Sequence, residues 1–210
     1  MSETWRDDPD FRTEPIPGLP ERLPRGESIL WQGRPRAWAL ARSSMAMDWI
    51  AGYFVLLAVW RVAASAGTMG WAALPLGVPF LMLGLVACGI VLLVAWVQAR
   101  ATLYTITTAR VALRVGAALT LTLNLPFQKI ASADLGRAPN GTGTIALTPT
   151  VGAQLSYMLL WPHVRPWHLR HPKPALRCIP DADRVAMLLA DAVDTRAEQP
   201  QVAPAVMAAE

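Results

Sequence analysis

Covalent and metallic fastenings are scarce in this 210-residue chain, which has two cysteines, Cys88 and Cys178, and three histidines. Cys88 lies inside an apolar run and Cys178 outside it, so the pair is not expected to join. No disulfide framework is available, and a reducing compartment is allowed. Lysine is nearly missing: only Lys129 and Lys173 accompany the scattered arginines, and the net charge is +4. Without a massed basic block the chain offers no nucleic-acid patch. Residues Met1 to Glu27 lack an apolar h-region, so no signal peptide is read there. Catalytic sets are lacking too. Ser43, Ser44 and Ser65 have no nearby His/Asp context, and Gly141-Thr142-Gly143 lacks the lysine and following helix of a phosphate loop. A protein that does no chemistry itself is expected.

What is present is apolar. One run spans Trp49 to Trp60, meets Arg61 and fades towards Gly67; a second, Trp71 to Val97, carries no charged side chain. A bilayer core about 30 Å thick takes roughly 20 apolar helical residues. A buried soluble helix would show a polar face, and the second run shows none. The spacing predicts a hairpin of two transmembrane helices over residues 48–98, with Pro79 bending the second. Arg34, Arg36 and Arg42 precede the hairpin and Arg100, Arg110 and Arg114 follow it, while Val62 to Trp71 has no Lys or Arg. The positive-inside rule then puts both termini in the cytoplasm and the Gly67–Gly70 turn outside, in a multi-pass membrane protein. The bias to arginine over lysine, with abundant alanine, suggests a GC-rich bacterial source and so its inner membrane. Trp49, Trp71 and Trp96 fall near the expected water boundaries. Arg61 has two readings: snorkelling to headgroups, or contact with a partner helix, given the cost of an intramembrane charge.

Around this hairpin the chain divides simply. Residues 1–25, rich in proline and balanced charge, read as a flexible arm. Residues 26–47 read as a short strand, Glu27 to Gly33, that joins a later sheet, then an interfacial helix with Trp38, Ala41 and Met45 on one face. After Arg100 the period becomes two. Runs at Leu103–Thr107, Val111–Val115, Leu119–Leu125, Lys129–Leu135, Ile145–Leu147, Leu155–Trp161 and Ala175–Ile179 predict short antiparallel strands, with a turn at Asn140-Gly141. A helix follows Pro180-Asp181, with Val185, Leu188, Leu189 and Ala192 on one stripe suited to plugging a barrel. The folded domain covers 101–194, and 195–210 reads as a disordered tail.

Seven short strands closed by one amphipathic helix resemble a pleckstrin-homology-like domain. Its placement after a hairpin resembles the bacterial PH-like membrane proteins. Tyr104-Thr105-Ile106-Thr107, Arg110-Val111 with Gly116, and Leu125-Pro126-Phe127-Gln128-Lys129-Ile130 look like their signature. A narrower resemblance is to PuhB, a family of photosynthetic-complex assembly proteins of purple bacteria. It is carried by Leu30-Trp31-Gln32-Gly33-Arg34-Pro35, Val59-Trp60-Arg61, Leu123-Asn124-Leu125-Pro126, Gly141-Thr142-Gly143 and Leu160-Trp161-Pro162-His163-Val164-Arg165-Pro166-Trp167. The resemblance implies a membrane α-helical hairpin plus a β-rich PH-like barrel with a C-terminal helix. It also implies a role in building the reaction centre and core light-harvesting complex, as a dimer. That family is often drawn with three spans; two are read here. Neither apolar run holds a histidine, so tetrapyrrole ligation at mid-membrane is disfavoured and no cofactor is expected.

The surface residues set aside as partner-binding are Arg61, Trp161, His163, Arg165, Trp167 and Arg170. Aromatic and cationic groups often anchor interfaces, and the Trp161–Lys173 loop suits either an acidic protein face or anionic headgroups. The first expected partners are reaction-centre subunits, the H subunit foremost, then core light-harvesting polypeptides and membrane lipid. His163, His168, His171 and Cys178 are zinc-ligand types, but their spacing lacks the tight pairs of a structural site, and no metal is expected. The alternative to an assembly factor is a membrane-anchored PH-like module that senses a lipid or small ligand.

Overall fold

The computed structural model describes residues 11, 14–116, 120–150, 156–166 and 168–198. Two antiparallel sheets share one core. The first has the order β1 (Ile29–Gly33), β2 (Leu103–Thr107), β3 (Arg110–Val115), β4 (Leu121–Pro126). The second runs β5 (Ile130–Arg137), β6 (Thr142–Pro149), β7 (Ala175–Pro180). Period-two alternation places Tyr104, Ile106, Val111, Leu113 and Leu125 from one sheet against Ile145, Leu147, Leu176 and Ile179 from the other. The final helix, here α5 (Ala182–Glu198), closes this core with Val185, Leu189 and Ala192. Gly143 is required where α5 begins, because a Cβ there would collide with that of Ala182. The helix continues four residues past the expected end at Asp194, so the tail reading fails for 195–198.

β1 and β2 are neighbours in space but not in sequence. Gly33 pairs with Tyr104, and everything between them leaves the barrel and returns. That insertion holds α1 (Ala37–Ser44), α2 (Met47–Met69), a 3-10 stretch Gly70–Gly77 and α3 (Val78–Ala101). The strand expected at Glu27 to Gly33 is therefore part of the barrel. Helices α2 and α3 pack antiparallel: Gly77 meets Ala58 and Val62, while Gly84 meets Phe54. A Cβ on Gly84 would lie 2.7 Å from that of Phe54, so the missing side chain sets how closely the helices approach. By length and composition the continuous helical stretch Met47–Ala101 can cross a membrane, and only 11% of its most apolar window is buried. Pro79 sits in the first turn of α3, where the 3-10 stretch passes into the α-helix, a position that tolerates proline.

Three further expectations are corrected. Part of the arm is packed, although Pro20, Glu21, Arg22, Pro24 and Arg25 are exposed: Phe11 is buried between the guanidinium groups of Arg34 and Arg114, at 5.0 and 4.2 Å from the ring centroid. Glu14 holds Arg114 at 2.6 Å, and Leu19 is buried. The α1 face that packs is Ala39, Leu40 and Ala41, and Trp38 points outwards with 55% of its surface exposed. The Leu155–Trp161 run is not a strand. Tyr157–Leu160 forms a four-residue helix, α4, and β1 supplies the seventh strand instead. Leu119 and Leu155 lie outside the described residues.

Candidate functional site

The hairpin joins the barrel through a buried polar chain. Thr102, the residue after α3, has its hydroxyl donating to the Gln98 carbonyl at 2.7 Å. That proton being committed, Thr102 Oγ1 accepts from His163 Nε2–H at 2.9 Å. His163 Nδ1 then accepts from the Tyr104 hydroxyl at 2.6 Å, and the Tyr104 oxygen accepts the Arg177 backbone N–H at 3.2 Å. Every donor points the same way, so His163 is neutral with its proton on Nε2. Burial, together with the nearby Arg177 charge, pulls its pKa down to about 3. Burial likewise pushes the Tyr104 phenol upwards, keeping it a donor.

Arg177 has a spare N–H because β7 carries a bulge. Ile145 pairs with Leu176 and Gly143 with Ile179, which leaves one extra residue on β7. Cys178 absorbs the kink at φ +52°. The Arg177 guanidinium reaches the Ser43 carbonyl of α1 at 3.2 Å and the Val164 carbonyl at 3.4 Å. Cys178 contributes from the same turn: its sulfur lies 3.1 Å from Ser43 Oγ, and its carbonyl accepts the Arg36 N–H at 2.9 Å. Burial raises the Cys178 thiol pKa, against the Ser43 hydrogen bond and the Arg177 charge. Side chains from α1, the α3–β2 junction, β2, β7 and the 160s loop thus meet at one joint, buried at Thr102, Tyr104, His163 and Arg177 and open to solvent at Ser43.

This geometry divides the six residues set aside from the sequence. His163 is fully buried and is a structural member of the joint, not a surface group. Its partners lie 59 and 61 residues away, so no local pattern could reveal them. Trp161 is 41% exposed beside it. Arg165 is turned onto Asp134 at 2.8 Å, with Lys173 at 3.9 Å from the same carboxylate. Arg170 is exposed, and Trp167 lies outside the described residues. Arg61 is elsewhere. It donates to Ser65 Oγ on its own helix, and its 14-residue offset from Met47 places it about 21 Å along α2 from the joint. His168 Nδ1 contacts the Pro166 carbonyl at 2.8 Å. Thr102 and Arg177, which the sequence does not single out, carry the joint together with Tyr104, named only within the signature, and Ser43, named only as lacking a catalytic context. Thr102 and Tyr104 stand at the entrance of β2, Ser43 near the end of α1 and Arg177 within β7, so no shared local pattern marks them.

Two concave surfaces flank this frame. An apolar groove of about 450 Å³ runs along the hairpin between Val55, Val59, Val62, Leu74 and Val78. A second of about 530 Å³ lies between β1 and α5, lined by Leu30, Thr108, Met187 and Leu188 with Arg184 and Asp191.

A model of the bacterial PH domain family matches residues 49–193. A protein of Rhodobacter capsulatus named "Uncharacterized 23.7 kDa protein in puhA 5'region" is 49% identical over 203 residues, covering 94% of each chain. No solved structure matches. With two sheets, a capping helix and a family match across 145 residues (193 − 49 + 1), the chain belongs to the bacterial PH domain family.

Proposed function

We propose that this protein is a PuhB-type assembly factor that holds a photosynthetic membrane subunit while the reaction centre and core light-harvesting complex are built, and does no chemistry itself. The observation that carries the reading is the near-full-length likeness to a protein encoded in the puhA 5′ region. The geometry supports the mode of action. Helices α2 and α3, of 23 and 24 residues, are each about 35 Å long, enough to cross a bilayer core of about 30 Å. Outside the seam where the two helices pack together, their large apolar side chains are exposed, from Trp49 and Leu56 to Leu85 and Leu93. In this reading they form two spans with both termini cytoplasmic. The groove along Val55 to Val78 receives a transmembrane helix of the incoming subunit, and Arg61, which lies on another face of the same stretch of α2, offers a separate polar contact. The buried joint fixes the barrel rigidly to the hairpin, so that it serves as a cytoplasmic platform for reaction-centre subunits, the H subunit first, and then for core light-harvesting polypeptides. A homodimer would present two such platforms.

A deletion strain tests this. It is expected to build less reaction centre and core antenna while pigment synthesis continues. Normal reaction-centre levels under phototrophic growth would refute the role. The groove between β1 and α5, whose apolar lining is joined by Arg184, Asp191 and, at its far end, Arg196, favours the second reading, a ligand-sensing module.

A further inference from the structure

We infer that the loop from Tyr157 to Lys173 is a second membrane contact, seated in the headgroup layer of an anionic lipid surface. The inference rests on the membrane reading of the hairpin above. Its first support is position. Trp96 is half exposed near the end of α3, with the Arg100 guanidinium 5.4 Å from its ring, the pairing of an interfacial belt. Thr102 lies six residues beyond Trp96, about 9 Å along the axis. His163 is hydrogen-bonded to Thr102 at 2.9 Å, so the middle of the loop is tied to the last turn of the hairpin. The loop cannot drift from there, because Ala175 N–H donates to the His163 carbonyl and Arg165 N–H to the Lys173 carbonyl.

The second support is composition. The residues flanking His163 expose apolar bulk that a water-facing loop has no use for: Met158 is 84% exposed, Leu169 67%, Leu159 56% and Trp161 41%. Residues 156–173 contain Arg165, Arg170 and Lys173 and no acidic residue, and because Arg165 and Lys173 share the single carboxylate of Asp134, a net positive charge remains beside the apolar tips. Apolar tips beside cations are the composition of an interfacial segment. Helix α1 repeats the pattern at the same level. Ala39 and Leu40 pack on Ala99 of α3, and Trp38 projects outwards.

The third support is charge. Arg177 is buried in the joint and bonds carbonyls rather than a carboxylate among the described residues. An anionic headgroup layer at this end offsets that charge. An acidic protein face has similar charge but no need of four exposed apolar side chains on a loop tied to the end of the hairpin.

Depth measurement on the full chain decides the matter. Single cysteines are placed by Leu159→Cys, Leu83→Cys and Met187→Cys in a Cys88→Ala, Cys178→Ala background. Each carries a polarity-sensitive fluorophore and is reconstituted in phosphatidylcholine vesicles with and without phosphatidylglycerol, some containing headgroup-level quencher lipids. Leu83 on α3 reports the hairpin and Met187 on α5 the far barrel. The expected result is quenched, blue-shifted emission at position 159, deeper with phosphatidylglycerol, deep burial at 83 and no quenching at 187. Burial at 83 with a quencher-insensitive 159 would overturn the loop contact, leaving the hairpin reading intact and the acidic protein face as the loop's partner. A water-exposed label at 83 would overturn both.

Discussion

Replacing Tyr104 with phenylalanine removes one oxygen and leaves no cavity, so its effect isolates the polar joint. The lost hydroxyl donates to His163 Nδ1 at 2.6 Å and accepts the Arg177 N–H at 3.2 Å. Neither group has another route to water. His163 and Tyr104 are fully buried, and the β7 bulge removes any ladder partner for Arg177. Each unsatisfied buried group costs about 1–3 kcal/mol, so Tyr104→Phe is expected to destabilise the fold by about 2–6 kcal/mol. Thr102→Val attacks the other end, unpairing His163 Nε2–H. Because both act through one imidazole, the double variant should cost less than the sum of the singles. Chemical unfolding of the detergent-solubilised full chain, followed by near-ultraviolet circular dichroism, reads all three. A Tyr104→Phe cost below about 0.5 kcal/mol, the range of ordinary surface substitutions, would refute the directed chain of donors.

The same ring makes stability depend on pH. Its folded pKa, about 3, lies below the ordinary 6.5, so the unfolded chain binds the extra proton between those values. Stability is therefore complete above pH 6.5 and lost as pH falls, by ~1.4 kcal/mol per unit. A titration of unfolding midpoints from pH 7 to 5 should show stability falling with a steepness that approaches that slope near pH 5, and His163→Gln should flatten it; a flat wild-type profile contradicts the buried neutral ring. Leu189→Asp puts a carboxylate into the core that α5 closes and should cost about 3 kcal/mol or more; an unchanged melting temperature would mean the helix does not pack there. Reporter fusions should give cytoplasmic signals after Gly33 and Glu210 and a periplasmic signal at Gly67; a periplasmic terminus would sink the two-span topology.

Much of the barrel is legible in the sequence because alternation is a local signal. Val111, Leu113 and Val115 repeat every second residue, and they occupy one core face of β3. The failures share a cause: partners remote in sequence. Phe11 and Glu14 look like arm residues because Arg114, which covers one and pairs with the other, lies about a hundred positions on. His163 looks like a loop cation for the same reason. At Tyr157–Leu160 the error is one of period. Leu160 is buried and Tyr157 partly so, while Met158 and Leu159 are exposed, a spacing of three that four residues cannot distinguish from alternation. The exposed apolar loop that results was invisible to a reading that counted only its cations and tryptophans.

The assembly role itself is tested most directly by what the protein holds. A tagged full-length chain, expressed from its own locus and recovered in mild detergent from cells assembling photosynthetic complexes, is read by mass spectrometry and near-infrared absorbance. The account predicts reaction-centre subunits in the eluate, the H subunit foremost, at levels reduced by Arg61→Leu. An eluate holding the tagged protein and lipid but no photosynthetic subunit would contradict it.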